Sequence, residues 1–303
     1  MIRRRIQKLA SQPPRPVAAP LAPCRFLNRA LSFTSAHAAV PQINASQVGL
    51  AGDGRHVRAI AAQLEAEGIL KINLGFQDPS SRYLEHMLAS LHKFHNHRLP
   101  ISHSATRGWF WDVRPAKTDF QGSQQARSET MEDFPWHTDC SYEDPPPRYF
   151  ALHVLAADRF GGGTLSVVPV HRVVESLDDA TIAQLMRPEY RIRIPVEFLK
   201  NAECRHIDKP LLLRSATKAS AVMMRFRADI VTPLNATAAR ALEDLQKQLK
   251  YKAADAAIHL TADRLPSNSI ILIDNRRWLH ARSAVTDPCR HLRRVRWDAT
   301  PVW

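Results

Sequence analysis

Ile270-Ile271-Leu272-Ile273-Asp274-Asn275-Arg276-Arg277-Trp278-Leu279-His280 is the stretch on which the reading of this chain turns. Its first four residues form a short continuous apolar run bounded by polar groups, the pattern of a buried strand, and His280 stands at the far end of that segment. Much earlier the chain reads Trp136-His137-Thr138-Asp139. At a strand end, or in the bend just after it, residues two apart point to the same side, so His137 and Asp139 can reach one ion. A third ligand then has to come from a distant strand laid alongside, and His280 is the candidate. Two imidazoles and one carboxylate on one face of a metal leave the other face open. Such a donor set suits ferrous iron that must take up a co-substrate and then dioxygen.

The chain has 303 residues, enough for one large domain or two small ones with a sizeable core. The net charge of +13 is unevenly placed. Residues 1–52 hold Arg3, Arg4, Arg5, Lys8, Arg15, Arg25 and Arg29 and no Asp or Glu; without those seven, 35 basic residues face 29 acidic ones, an excess of 6. A moderate, scattered excess calls for no nucleic-acid partner. No apolar run has the length of a membrane span, so no membrane partner is expected either. Cys24, Cys140, Cys204 and Cys289 form no C-x-x-C pair, which fits free thiols in a reducing compartment.

Residues 1–46 read as a basic leader rich in Arg, Ser, Ala and Pro. Its first nine residues mix Arg3, Arg4, Arg5 and Lys8 with Ile2, Ile6 and Leu9, as in a short basic amphipathic helix, and no continuous apolar core of a secretory signal is present. A mitochondrial (matrix) transit peptide is expected, with a cytoplasmic location as the alternative if the segment is a plain basic tail. The folded domain is expected over 47–303. Helices are read over 55–67, ending at Gly68, over a segment capped by Ser80 or Ser81, near 178–186 and over 236–251. Strands are read over 69–74, 108–113, 149–156, 164–169, 191–198, 221–226, 270–273 and 291–297. Many short strands with a few helices outside predict an all-β core, a jelly roll (double-stranded β-helix), with flanking α-helices.

Four segments, in this order, resemble the iron(II)/2-oxoglutarate-dependent dioxygenases of the taurine dioxygenase and clavaminate synthase-like superfamily. His137-Thr138-Asp139 is similar to the family's H-x-D and Gly161-Gly162-Gly163-Thr164 to its Gly-rich turn with a Thr. Asp274 to His280 is similar to D-N-R-R-x-x-H, and Arg290-His291-Leu292-Arg293-Arg294 to R-x-L-x-R. The resemblance implies His137, Asp139 and His280 as iron ligands, with Fe(II), 2-oxoglutarate and O2 as the cofactor and co-substrates. It implies Arg290 as the bidentate clamp on the far carboxylate of 2-oxoglutarate, helped by Arg294 and by the Thr164 hydroxyl. The implied activity is that of a dioxygenase oxidising a small organic substrate by hydroxylation, desaturation or ring closure, with succinate and CO2 as co-products. Related halogenases carry Gly or Ala where Asp139 stands, so halogenation is disfavoured. Family members are often dimers or tetramers, so a homo-oligomer is compatible with the resemblance. Ala281 departs from the Gly usual after the distal histidine, and Cys204 to Leu234 maps onto no motif.

Three other readings stay open at this point: a catalytically silent jelly roll that binds a ligand or protein, a cupin-like zinc or manganese protein, and a basic RNA-binding protein. Arg225 and Arg227 are candidates for a substrate carboxylate. Trp109, Phe110 and Trp111 either line a pocket or belong to the core, the commoner use of an aromatic strand. Cys140 is read as a small strand residue, and His95, His103, His153, His171, His206, His259 and His291 as ordinary surface or core histidines.

Overall fold

The computed structural model describes residues 39–102, 108–115, 126–199, 203–214 and 222–300. Most of the expected leader, residues 1–38 with Cys24, lies outside the described residues, as does His103. Two sheets form the core. The larger has six strands in the order β1 (Gln42–Ala45), β2 (Ile69–Leu74), β13 (Ser269–Asp274), β5 (Tyr149–Ala156), β15 (His291–Trp297) and β3 (Trp111–Val113). Only β1 and β2 run parallel. The smaller is antiparallel, in the order β12 (Ile258–Leu260), β6 (Leu165–Pro169), β14 (Trp278–Arg282) and β4 (Phe134–His137). Beside them stand β11 (Val231–Pro233), β7 (Tyr190–Arg193) and β8 (His206–Lys209) in one small sheet and β10 (Val222–Met224) with β9 (Leu212–Arg214) in another.

Period-two alternation sorts each strand between two cores. On β13, Ile270 and Leu272 face helices α1 (Gly54–Glu67) and α2 (Arg82–His95), meeting Ile60, Leu64, Met87 and Leu91. Ile271 and Ile273 face the smaller sheet and meet Leu165, Val167 and Trp278. The apolar run is therefore unbroken because both faces of its strand are covered. On the outside of the smaller sheet, Val168 and Leu279 pack under α3 (Val170–Val174), α4 (Asp179–Leu185) and α5 (Ala236–Ala256). The order of layers is helices, six strands, four strands, helices: a β-sandwich with flanking α-helices. Among the described residues no helix is long and apolar enough to cross a membrane.

Several sequence expectations are corrected. The larger sheet begins at Gln42, ahead of the boundary expected at residue 47, because the polar tetrapeptide of β1 joins through backbone pairing with β2 and carries little apolar signal. His280 does not end the strand of the apolar run. Asn275 to Arg277 turn the chain, the Arg277 N–H donates to the Asp274 carbonyl at 3.0 Å, and His280 lies in β14 of the opposite sheet. Ser81 precedes α2, but its hydroxyl bonds to His153 Nδ1 at 2.8 Å, and the Asp78 carboxylate accepts the N–H groups of Arg82 and Tyr83 at 2.9 and 2.8 Å instead. The strand read over 191–198 stops at Arg193 ahead of Pro195, whose ring cannot donate to a ladder.

Gly68 ends α1 in the left-handed region, φ +71°, and its N–H donates to Leu64 O at 2.8 Å. A Cβ there would lie 2.9 Å from Nε1 of Trp278, which donates to Glu67 O. Gly68→Ala should lower the unfolding free energy by about 1–3 kcal/mol in denaturant melts. Gly52→Ala, with nothing within 4 Å of its Cβ, should change it by less than ~0.5 kcal/mol.

Candidate active site

The smaller sheet creates the site by pairing β14 against β4 with His280 directly opposite His137. The next partners are Arg282 and Phe134, so β4 spends one residue more than β14 across the same interval, a bulge. That extra residue brings both Phe134 and His137 into the space between the sheets. The two imidazoles lie 4.1 Å apart between centroids. Asp139 follows in the bend after β4, and its Oδ1 stands 3.9 Å from His137 Nε2 and 3.8 Å from His280 Nε2. All three are buried, and one donor atom from each lies within 4.8 Å of the others.

Asn275 holds the carboxylate ligand in place. Its side-chain oxygen accepts from the Asp139 N–H at 2.7 Å, and its amide nitrogen donates to the carbonyls of Asp139 and Pro147 at 2.8 and 3.0 Å. Thr138, between the two ligands, is pinned from the other side: its N–H donates to Phe226 O at 2.8 Å, and its hydroxyl accepts from the Phe226 N–H at 3.0 Å. Asn275 is the functional residue that reasoning from the sequence passed over. It was counted as part of a motif, and a partner that is a backbone peptide leaves no trace in a sequence.

Electrostatics prepare the same three groups for a cation. Burial pushes the His280 imidazole down to about 4, against the opposing pull of Asp139. His137 is also pushed well below its usual value, by burial and then by His280. Both are neutral near pH 7, as donation to a metal requires. His137 Nδ1 is hydrogen-bonded to Pro135 O at 2.7 Å, which places the proton there and leaves the Nε2 lone pair free for an ion. Burial would raise the Asp139 carboxyl, but Arg294, His280 and His137 outweigh it and hold the group below the ordinary carboxylate range. Two neutral nitrogens and one anionic oxygen, with the rest of the first sphere left to incoming ligands, fit ferrous iron.

The cavity beside these ligands is lined by Val113, Phe150, Leu152 and Leu292 from the larger sheet and by Phe134 and Leu165 from the smaller. Three guanidiniums, Arg282, Arg290 and Arg294, enter it against the single carboxylate of Asp139. Arg294 donates to both Asp139 oxygens at 3.3 Å. Arg282 is fastened to the carbonyls of Ser128 and Thr130, each at 2.9 Å, and of Glu132. Arg290 has no carboxylate bonded to it among the described residues; its guanidinium donates to Gly163 O at 3.3 Å. Burial, then the nearby Arg282, push it down to about 10. Gly163, φ +62°, lies so close that an added Cβ would sit 2.6 Å from Arg290 Nε.

Of the other candidates, Thr164 is half-buried at the start of the Gly-rich turn's strand and is not among the cavity's lining residues; its N–H donates to Ser283 Oγ at 3.0 Å. Arg293, inside the same R-x-L-x-R segment, is turned away from the cavity onto Asp112 at 2.9 Å and Pro79 O at 3.0 Å. Arg225 is buried on the Glu143 carbonyl and Asp144. Trp109, Phe110 and Trp111 pack against the cores and do not line the cavity. Cys140 is buried, and Arg296 donates to its sulfur.

A buried His-Asp-His cluster between two sheets, with an arginine beyond it, defines the class: a mononuclear metal site in a β-sandwich. Residues 77–296 match the family described as Taurine catabolism dioxygenase TauD, TfdA family, and the chain belongs to it. L-asparagine oxygenase of Streptomyces coelicolor is 28% identical over 190 residues, 62% of this chain and 50% of that protein. The chain thus spans about half the length of this curated relative. The fold is similar to asparagine oxygenase solved with Fe(II), 2S,3S-3-hydroxyasparagine and succinate (TM-score 0.64, 20% identity, 84% of this chain and 92% of that one). It is also similar to the non-heme iron oxygenase OrfP solved with Fe and alpha-ketoglutaric acid (TM-score 0.62, 18% identity, 86% and 95%).

Asn275→Ala removes three buried hydrogen bonds around Asp139. Metal titration should show affinity for Fe(II) or Co(II) falling by about 10–100-fold, and denaturant melts a loss of about 2–4 kcal/mol. In the metal-free protein His280 titrates near 4 when folded and near 6.5 when unfolded, so between those values the unfolded chain binds the extra proton. Stability should therefore fall as pH drops from 6.5 towards 4. His280→Gln should flatten that slope by about one proton's worth in pH-dependent unfolding.

Proposed function

We propose that the chain is an iron(II)- and 2-oxoglutarate-dependent dioxygenase that oxidises a small organic substrate, by hydroxylation or desaturation, with succinate and CO2 as co-products. The observation that carries this is Arg290. A guanidinium buried against apolar side chains with no carboxylate bonded to it costs several kcal/mol unless a ligand supplies the anion. It shares its cavity with three convergent metal donors. A short dianion that chelates the ion at one end and offers a carboxylate at the other meets both demands, and 2-oxoglutarate has that form. The named relatives support the choice, since the solved neighbours carry iron with alpha-ketoglutaric acid or succinate.

His137, Asp139 and His280 would hold the iron, which when bound supplies the activation of dioxygen that no side chain can perform. The protein's own residues set the conditions. Arg290 orients the co-substrate through its far carboxylate. Arg294 spreads the charge of Asp139 and keeps that ligand ionised. Phe134, Phe150, Leu152 and Leu165 keep water away from the open side of the site. Thr164, at the turn that also carries Gly163, is read as a helper to Arg290. We read the two facing sheets as a jelly roll and the residues ahead of the domain as a matrix-targeting leader.

Anaerobic addition of Fe(II) and 2-oxoglutarate to the wild-type protein should produce a weak visible charge-transfer band. Arg290→Ala should retain metal binding and raise the half-saturating 2-oxoglutarate concentration by at least tenfold. A wild-type protein with full metal content and no band at millimolar 2-oxoglutarate contradicts the proposal. So does an Arg290→Ala protein as responsive as wild type, the behaviour of a cupin-like metalloprotein without a keto-acid co-substrate.

A further inference from the structure

Arg290 reaches the metal cavity from the loop of residues 283–290, which joins β14 to β15 and runs beside the Gly-rich loop of residues 157–164 between β5 and β6. Behind the guanidinium lies a second, smaller cavity of about 20 Å³, bordered also by Asp158, Gly162, Leu260 and Leu265. Space on both sides of Arg290 means that side-chain packing alone does not fix it. Its aim depends on how the loop that carries it is held.

Two buried carboxylates, one in each loop, clasp the pair together. Asp158 Oδ2 accepts from the N–H groups of Thr286 and Asp287 at 2.8 and 3.1 Å, and its Oδ1 accepts from the Thr286 hydroxyl and the Phe160 N–H, each at 2.9 Å. Asp287 Oδ2 accepts from Arg159 Nε and N at 2.6 and 3.2 Å, while its Oδ1 takes the Cys289 N–H at 2.9 Å. The Arg290 N–H then donates to the Asp287 carbonyl at 3.0 Å. Thr286 Oγ1 also accepts from the Gly162 N–H at 3.0 Å, and a Cβ on Gly162 would lie 2.5 Å from that oxygen, so the loops meet with no room for a side chain. Burial would raise the Asp158 carboxyl, but the N–H groups of Thr286, Asp287 and Phe160 outweigh it and bring it down to about 2. It is an anion near neutral pH, fastened to the backbone three residues ahead of Arg290.

We propose that Asp158 is a positioning residue for the co-substrate: through the N–H groups of Thr286 and Asp287 it fixes the loop that aims Arg290. The inference rests on the oxygenase reading above and adds to it the group that sets the clamp. The sign of the effect separates this role from a purely electrostatic one. A carboxylate acting on Arg290 by charge alone would oppose an incoming anion, so removing that charge would tighten co-substrate binding. A carboxylate that holds the loop has the opposite effect when lost, because a displacement of about 1 Å spoils a two-point contact between guanidinium and carboxylate. Four hydrogen bonds reach Asp158 from the two loops, and none joins it to Arg290 among the described residues, so holding the loop is the larger effect.

The test titrates 2-oxoglutarate into the full chain loaded anaerobically with Fe(II), reading the visible band, for wild type, Asp158→Asn, Arg290→Ala and the double variant. Asp158→Asn should raise the half-saturating concentration by about five- to twentyfold, with Fe(II) affinity within about threefold of wild type. In the Arg290→Ala background the same substitution should add less than about twofold, because the loop no longer carries a clamp to aim. Thr286→Val removes the hydroxyl bridge and keeps the charge of Asp158; it should shift binding in the same direction, and Thr286→Ser should restore it. That pair decides the matter if Asp158→Asn fails to fold. Gly68→Ala, which destabilises the fold away from the site, should leave the half-saturating concentration unchanged. An unchanged or lowered value in Asp158→Asn, the full loss repeated in the Arg290→Ala background, Thr286→Val equal to wild type, or an equal shift in Gly68→Ala would overturn the positioning role and leave the oxygenase reading standing. A wild-type protein in which no band forms removes that reading and the role of Asp158 with it.

Discussion

One cross-strand register governs the site: β14 lies against β4 with His280 opposite His137. Directly opposed residues in an antiparallel pair place their Cβ atoms about 4.5–5.5 Å apart. Two side chains separated by most of the domain in sequence thereby become neighbours with no loop between them. A slip of one residue would turn His280 to the helix-covered face, where Leu279 now packs. The register is guarded by that penalty, because Leu279 would have to enter the cavity and an imidazole would have to enter an apolar core. The bulge at Phe134 is the second device, turning one further residue of β4 inward so that His137 is backed by an aromatic ring.

The space between the sheets is a costly place for charge, yet several arginines enter it. Among the described residues Arg294 is paired with Asp139, Arg282 with carbonyls of the 128–132 segment, and Arg296 with the sulfur of Cys140 and with Glu143. Among the described residues Arg290 meets a single carbonyl, that of Gly163, at 3.3 Å. A buried guanidinium with no carboxylate bonded to it among the described residues has the form of a binding site waiting for an anion. Asp139 shows the same economy in reverse, since a carboxylate already balanced by Arg294 can share its charge with a metal without being drawn out of position.

Much of the site was legible because metal ligation demands particular residue types at particular spacings. His137, Asp139, His280 and Arg290 each stand out by chemistry, and the order of their motifs adds what no one of them carries alone. The strand of Ile270 to Ile273 was legible because burial on both faces leaves an unbroken apolar run. What remained hidden is what backbone groups provide. Asn275 acts through the peptide of Asp139, and Arg282 through three carbonyls, and neither partner has a sequence signature. The four-residue β1 and the three-residue β9, β11 and β12 are too short for alternation to register. The turn at Asn275 to Arg277 is legible as part of a motif, but nothing in its residue types shows that it carries the chain from one sheet to the other.

X-ray absorption at the iron edge of the Fe(II)-loaded protein tests the central claim most directly. The account predicts a first shell of nitrogen and oxygen only, outer-shell scattering from two imidazoles, and loss of one imidazole contribution in His280→Gln. A sulfur neighbour contributed by Cys140, or a wild-type spectrum with no more than one imidazole, would contradict it.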